Sequence, residues 1–342
     1  MGRPIGADMD TFLQQIINGV TLGSVYAVVA LGYTMVYGII QLINFAHGEV
    51  VMIGAMVAYS VIVALVGSGA PLPPLAILLT GALVAIPVCM AVGFTLERVA
   101  YRPLRSAPRL APLITAIGLS IILQHLAMIV WSRNPLPYPQ IVQTVSYHVT
   151  ANPNGATITN VQIAIIVVSV AMMAGLTALV YRTKLGIAMR ATAQNQPVAG
   201  LMGIDINRVI ALTFVIAGGL GSVAGVMVGT YYGIAHYQMG FLLGLKAFSA
   251  AVLGGIGNLA GAMLGGLLLG IIEALGAGYV GDLTNLCHFA DWSEALAKRC
   301  ETDPNVALFG SNYQDVFAFA VLILVLVFRP SGLLGERVSD RA

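Results

Sequence analysis

The densest group of polar side chains in this apolar chain is Asn44-Phe45-Ala46-His47-Gly48-Glu49, between two hydrophobic runs. Ionisable groups at membrane depth are costly, so by default they mark pathways, relays or gates. One reading is a capped helix junction near a membrane face, with Glu49 placed favourably in the first turn of the next helix. The other is a gate or a subunit contact built from Asn44, His47 and Glu49. Lys246 precedes the short run AFSAAVLGGIGN, and its long stem can snorkel to the interface. Glu273 falls within the apolar run 260–280 and is expected to face the bundle interior or a water-filled path. A proton-coupled carrier needs a relay, and these few isolated groups make a poor one.

Other chemistries lack their motifs. The histidines at 47, 125, 148, 236 and 288 have no ligand spacing, so no metal is expected. There is no Gly-rich loop ending in Gly-Lys-Ser/Thr, no His-Glu-x-x-His pair and no Gly-x-Ser-x-Gly elbow. Neither a membrane enzyme nor a nucleotide site on this chain is indicated, and nothing points to nucleic acid.

The elements that position these groups must be membrane helices. The chain is 58% apolar and 9% charged, with mean hydropathy +0.90, against about 25% charged in soluble domains. Windows of roughly 20 apolar residues cross a ~30 Å core as helices, and the alternation of a spanning barrel does not recur. The expected fold is an all-α polytopic bundle of 8–10 segments, some of them broken or half-spans, over one transmembrane domain, residues 1–342. Apolar runs fall near 12–28, 30–45, 49–66, 76–97, 112–131, 161–181, 210–233, 243–256, 260–280 and 314–328. The shortest, 30–45 and 243–256, read as half-spans shielded by protein. Asp8 and Asp10 stand where a signal peptide would be basic, so the first span is expected to be retained.

Charge orients the bundle. Arg98, Arg102, Arg105 and Arg109 form one cluster, Arg182, Lys184, Arg190 and Arg208 another, and Arg329, Arg337 and Arg341 a third. Short basic loops stay cytoplasmic; counting ten passes puts both termini inside as well. The Pro- and Asn-rich loop 132–160, with strand-like QTVSYHVT, and the acidic segment 281–312 then lie outside. Cys287 and Cys300 share that acidic segment, and an oxidising compartment would make them a disulfide. Closing such a loop stabilises by roughly 3 kcal/mol.

The cytoplasmic segment 182–208 is too patterned for a plain connector. Pro197 follows Asn195-Gln196, a short apolar run holds Ala199 and Leu201, and Gly203 ends it. Pro early and Gly late are helix start and stop chemistry. A short helix outside the bilayer, a docking surface for another protein, is expected. Elsewhere Gly221, Gly225, Gly229 and Gly233 recur every four residues, as do Gly257, Gly261 and Gly265. Such stripes let helices approach closely in lipid.

The run NGVTLGSVYAVVALGYTMVYGIIQLINFAHGEV resembles the permease subunits of bacterial branched-chain amino acid ABC transporters. So do ERVAYRPLR, LGIAMRATA with GLMGIDINRVIALTFVIAGGLGSVAGV, and KAFSAAVLGGIGNLAGAMLGGLLLGIIEALGAGY. The resemblance covers roughly residues 10–280 and 313–336, and implies a bundle like type II-like ABC importer permeases. It implies an inner-membrane importer with a second permease, two cytoplasmic ATPase subunits that hold ATP and Mg, and a periplasmic substrate-binding protein. The segment 186–204 then corresponds to the coupling loop that inserts into an ATPase groove, with Arg190, Ala193, Pro197, Ala199, Leu201 and Gly203 as its candidates. Related importers carry Glu-Ala-Ala there, whereas Arg190-Ala191-Thr192-Ala193 stands here without the acidic residue. The stretch CHFADWSEALAKRC reads as an insertion on the side of the binding protein. Related permeases serve branched-chain amino acids, and others urea or amides. A self-sufficient carrier or channel is the rival class, and it would need ion ligands or a charged filter that this sequence scarcely offers.

Overall fold

The computed structural model describes residues 5–69, 71–105, 107–108, 110–150, 155–284, 287 and 313–335. Its helices are α1 (Ile5–Ile40), α2 (His47–Gly67), α3 (Pro74–Leu96, extended by a π turn Glu97–Tyr101), α4 (Leu110–Val130) and α5 (Asn160–Arg182). There follow α6 (Lys184–Gln194), α7 (Gln196–Leu201), α8 (Ile206–Tyr232), α9 (Met239–Gly254), α10 (Leu259–Leu283) and α11 (Gln314–Phe328). Among the described residues seven helices are long and apolar enough to cross a membrane, while α9 and α11 are shorter apolar helices. The chain is a multi-pass all-α bundle.

Helix α1 is the axis. It is 36 residues long, so it outspans a ~30 Å core, and its sides are covered by α5, α8, α9 and α10. Tyr26, Ala27, Val28, Val29, Ala30 and Leu31 are buried, in a stretch where a surface helix would show polar residues. The runs 12–28 and 30–45 are therefore one crossing to Ile40, not two. The beginning of α1 meets the 132–160 segment: Thr157 N–H donates to Gln14 Oε1 (2.8 Å) and Gln162 Nε2 to Asn18 Oδ1 (3.1 Å). Its end meets α7, where Gln196 Nε2 donates to the Ile39 carbonyl (3.1 Å). The last described residues pack near that same end: Asn258 Nδ2 donates to the Leu334 carbonyl, and a Cβ on Gly38 of α1 would stand 3.8 Å from the adjoining Gly257. The first and last described residues thus lie at opposite ends of the bundle, which corrects the ten-pass count that placed both termini together.

Helices α3 and α4 keep broad apolar faces outward, with Leu83, Val99, Ile114 and Ile129 exposed. The 132–160 segment folds a hairpin, β2 (Ser146–His148) antiparallel to β3 (Thr157–Thr159). A second pair, β1 (Leu136–Pro137) with β4 (Ile234–Ala235), ties it to the end of α8. Helix α5 starts on a capping box: Thr159 accepts from Gln162 N–H while Gln162 accepts from Thr159 N–H.

The glycine stripe of α8 brings backbones together. A Cβ on Gly225 would stand 2.8 Å from the Ala55 nitrogen, and one on Gly229 2.6 Å from the Tyr138 ring. Gly221 faces His47 and Val51, and Gly233 is the left-handed cap of α8 at φ 67°. Gly261 and Gly265 bring α10 against α9. Gly257 is an exception to its predicted stripe: it sits in the turn before α10 at φ 96°, with open space where a Cβ would be. Gly225→Val is expected to lower the melting temperature in detergent, by overpacking worth about 1–3 kcal/mol. Gly67→Ala, whose Cβ meets nothing within 4 Å, is the control that should leave melting unchanged.

The last carbonyls of α9 would be orphans in a bundle without water. The chain after α11 meets them: Leu333 N–H donates to the Leu253 carbonyl (2.9 Å) and Leu334 N–H to that of Gly254 (3.0 Å). Asn258 Nδ2 holds the Leu334 carbonyl in turn (2.8 Å).

Candidate functional site

Between α1 and α2 the backbone leaves the helix. Gln41 takes a left-handed φ of 53°, and the chain runs back along the bundle to His47. Asn44 Oδ1 accepts from the Tyr101 hydroxyl (2.8 Å), which fixes the return to the end of α3. His47 packs edge-on to Tyr33, ring centroids 4.9 Å apart. Its imidazole fills the space that a side chain on Gly32 would need, and it lies against Gly221. Gly32 is roughly two turns, ~12 Å, short of the end of α1. The junction is thus drawn into the bundle instead of standing at a face, and Ala46 caps α2 with no side-chain bond.

Glu49 occupies the first turn of α2 and is wholly buried. One oxygen accepts from Ser120 Oγ and from Gln124 Nε2, both at 2.8 Å. The other oxygen has no hydrogen-bond partner and faces Gly240 at the start of α9, where a Cβ would stand 2.7 Å away. Ser120 and Gln124 of α4 had no signal of their own in the sequence. Their spacing of four, on one helical face, could have found them.

Lys246 does not snorkel. Its Nζ lies 2.7 Å from Glu273 Oε1 and 2.8 Å from Asp315 Oδ1, and 5.9 Å from the centre of the Tyr26 ring. The Tyr26 hydroxyl donates to Glu273 Oε2 (3.0 Å). One cation therefore holds carboxylates from α10 and α11 and sits over α1. A buried charge persists only when paired in this way. Asp315 was missed because it stands at the edge of an apolar run, where an acid reads as a helix start.

The 182–208 segment holds two helices. The anticipated short one is α7: Pro197 lies in its first turn, Asn195 Oδ1 accepts from Val198 N–H (3.2 Å), and Gly203 follows at φ 84°. The longer α6 had not been anticipated; Thr183 caps it through Gly186 N–H (3.1 Å). Arg190 on α6 reaches over the Tyr181 ring (5.3 Å), and Ala193 is half-buried. Within α7 the candidates divide. Ala199 is buried, whereas Leu201 is 88% and the adjoining Met202 81% exposed. Met189, Ile39, Val36 and Phe214 share one apolar cluster, with Ala193, Leu42 and Phe45 packed against it, so α6 and the α1–α2 junction rest on a common core.

At the hairpin end a cavity of about 530 Å3 opens between the segment 138–144 that follows β1, the start of α5 and the end of α8. Tyr138, Gln162, Thr230 and Tyr231 supply hydroxyl and amide groups, and Leu78 and Ile141 supply apolar wall. Cys89 is a free buried thiol near the Val50 carbonyl (3.5 Å). Cys287 is disulfide-bonded; Cys300 and most of 281–312 lie outside the described residues.

A profile of permease components of branched-chain amino acid transport systems matches residues 15–326. The chain is 46% identical over 325 residues to the high-affinity branched-chain amino acid transport system permease BraD of Pseudomonas aeruginosa, covering 95% of this chain and 96% of that one. It is 44% identical over 327 residues to LivH of Escherichia coli K12, with the same two coverages. A probable branched-chain amino acid permease of Methanocaldococcus jannaschii is 26% identical over 333 residues, 94% of this chain and 92% of that one. No solved structure matches. With near full-length similarity and a bundle of membrane-length helices, the chain belongs to the family of branched-chain amino acid transport system permease components.

Proposed function

We propose that this chain is one of two permeases in an inner-membrane ABC importer that moves branched-chain amino acids by alternating access. The observation that carries this reading is 44–46% identity over 95% of the chain to permeases named for that transport. A second permease completes the path, a periplasmic binding protein delivers substrate, and two ATPase subunits hold ATP and Mg. The absence of a nucleotide loop from the sequence fits this division of labour.

Keeping the basic clusters inside places α6, α7 and the C-terminal tail in the cytoplasm. The start of α1 and the hairpin then face the periplasm, and the 530 Å3 cavity is the outer mouth of the path. Helix α7 is the coupling element. Gln196 ties it to the Ile39 carbonyl, next to the backbone break that leads to His47 and Glu49. ATPase movement at α7 is thereby passed to the junction, which acts as the gate.

The test is reconstitution. Proteoliposomes with the full complex should take up labelled leucine on ATP addition, and those holding this chain alone should not. Leucine uptake by this chain alone would make it a self-sufficient carrier and end the proposal.

Glu49→Leu is expected to strand the Ser120 hydroxyl and the Gln124 amide, at about 1–3 kcal/mol for each group. Adding Ser120→Ala and Gln124→Leu should restore thermal stability without restoring uptake. If uptake returns along with stability, Glu49 is a packing residue and not part of the gate.

A further inference from the structure

We propose that the corner between the end of α3 and the start of α8 binds the phosphate headgroup of an anionic phospholipid. A cavity of about 320 Å3 lies there, with Arg98, Arg102 and Arg208 on its wall. Among the described residues none of the three is in an ion pair. Their natural local partner is already taken: Glu97 is paired with Arg105, whose Nη1 also donates to Asn207 Oδ1 (2.7 Å). Asp205 also lines the cavity, but one of its oxygens accepts from Arg208 N–H (3.1 Å) as the cap of α8. Glu97 lines the cavity as well, but its charge is met by Arg105; that leaves the Asp205 carboxylate against three guanidiniums, and the local field favours an anion.

The other wall decides what kind of anion. Phe94, Leu212 and Val215 line the same cavity, one to two turns further into the two spanning helices. Phe94 is 42% exposed, and the Arg98 guanidinium lies 6.0 Å from its ring centre. Charge at the helix ends with apolar wall directly below matches a phosphate at headgroup level and an acyl chain beneath it. Basic pockets of this form between spanning helices take lipid headgroups. A soluble anion would use only the upper half, as would an acidic loop of a partner subunit.

The experiment uses the complete transporter, purified from phosphatidylglycerol-containing membranes and exchanged into nanodiscs of phosphatidylcholine with a minor share of phosphatidylglycerol. Lipid retained per complex is counted by native mass spectrometry. The parent should keep phosphatidylglycerol in preference to phosphatidylcholine. The triple variant Arg98→Gln/Arg102→Gln/Arg208→Gln should lose that preference by about tenfold or more. Leu212→Glu, which leaves every arginine in place, should lose it too. Unchanged retention in the triple variant overturns the proposal. Displacement of the lipid by millimolar inorganic phosphate would reassign the corner to a free anion. Loss of the ATPase subunits with retention unchanged would reassign it to a partner surface.

Discussion

Lys246→Met is expected to leave almost no folded protein in a detergent extract. The variant keeps Glu273 and Asp315 close together and removes the cation between them. Breaking a buried pair by deleting one partner costs about 3–5 kcal/mol, a large share of the ~5–15 kcal/mol that typically holds a domain together. Glu273 suffers most, because it is almost fully buried and retains only the Tyr26 hydroxyl. The triple variant Lys246→Met/Glu273→Gln/Asp315→Asn should fold again, since it removes the charges along with the cation. Size-exclusion profiles and melting temperatures in detergent read both results. A Lys246→Met protein that melts like the parent would show that the triad contributes nothing to the fold. Uptake by the triple variant separates two further roles: transport retained marks a structural clasp, and transport lost marks a step of the transport cycle.

Leu201→Asp and Met202→Asp should each leave the protein in the membrane at parental levels and abolish ATP-driven uptake. Both side chains stand in solvent, 88% and 81% exposed, so folding has little stake in them. Anchors of this kind, when seated in a partner's groove, are worth about 2 kcal/mol or more, roughly thirtyfold in affinity. Co-purification of the ATPase subunits should fall accordingly. Ala199→Asp is different, because Ala199 is 3% exposed and its burial holds α7 to the bundle. That change should damage α7 itself and lower the melting temperature, which the Leu201 and Met202 variants should not. Normal uptake with Asp at 201 and 202 would remove α7 from the coupling route.

The legible parts of the sequence were those set by local chemistry. Pro197 and Gly203 bracket α7 because their backbone preferences act without tertiary help, and the apolar runs mark helices because lipid demands them. What failed was long-range. The sequence divides into runs 12–28 and 30–45, yet α1 continues through the gap between them; Gly32, just beyond it, leaves the space that the His47 ring fills. Lys246 was read alone because its partners are 27 and 69 positions away, in other helices. Helix α6 was overlooked because it is polar overall, although one of its faces is apolar, and its cap is a single threonine. The Glu49 network needs α2 and α4 to meet, which no periodicity announces.

The carbonyls that end α9 are answered from the far side of α11. Leu253 and Gly254 meet the N–H groups of Leu333 and Leu334, and backbone groups left unpaired at membrane depth are costly. The end of α9 and the chain after α11 therefore travel as one body. Any rocking of the bundle that slid one past the other would uncover both carbonyls at once, so the pair forms a fixed strut about which other helices turn.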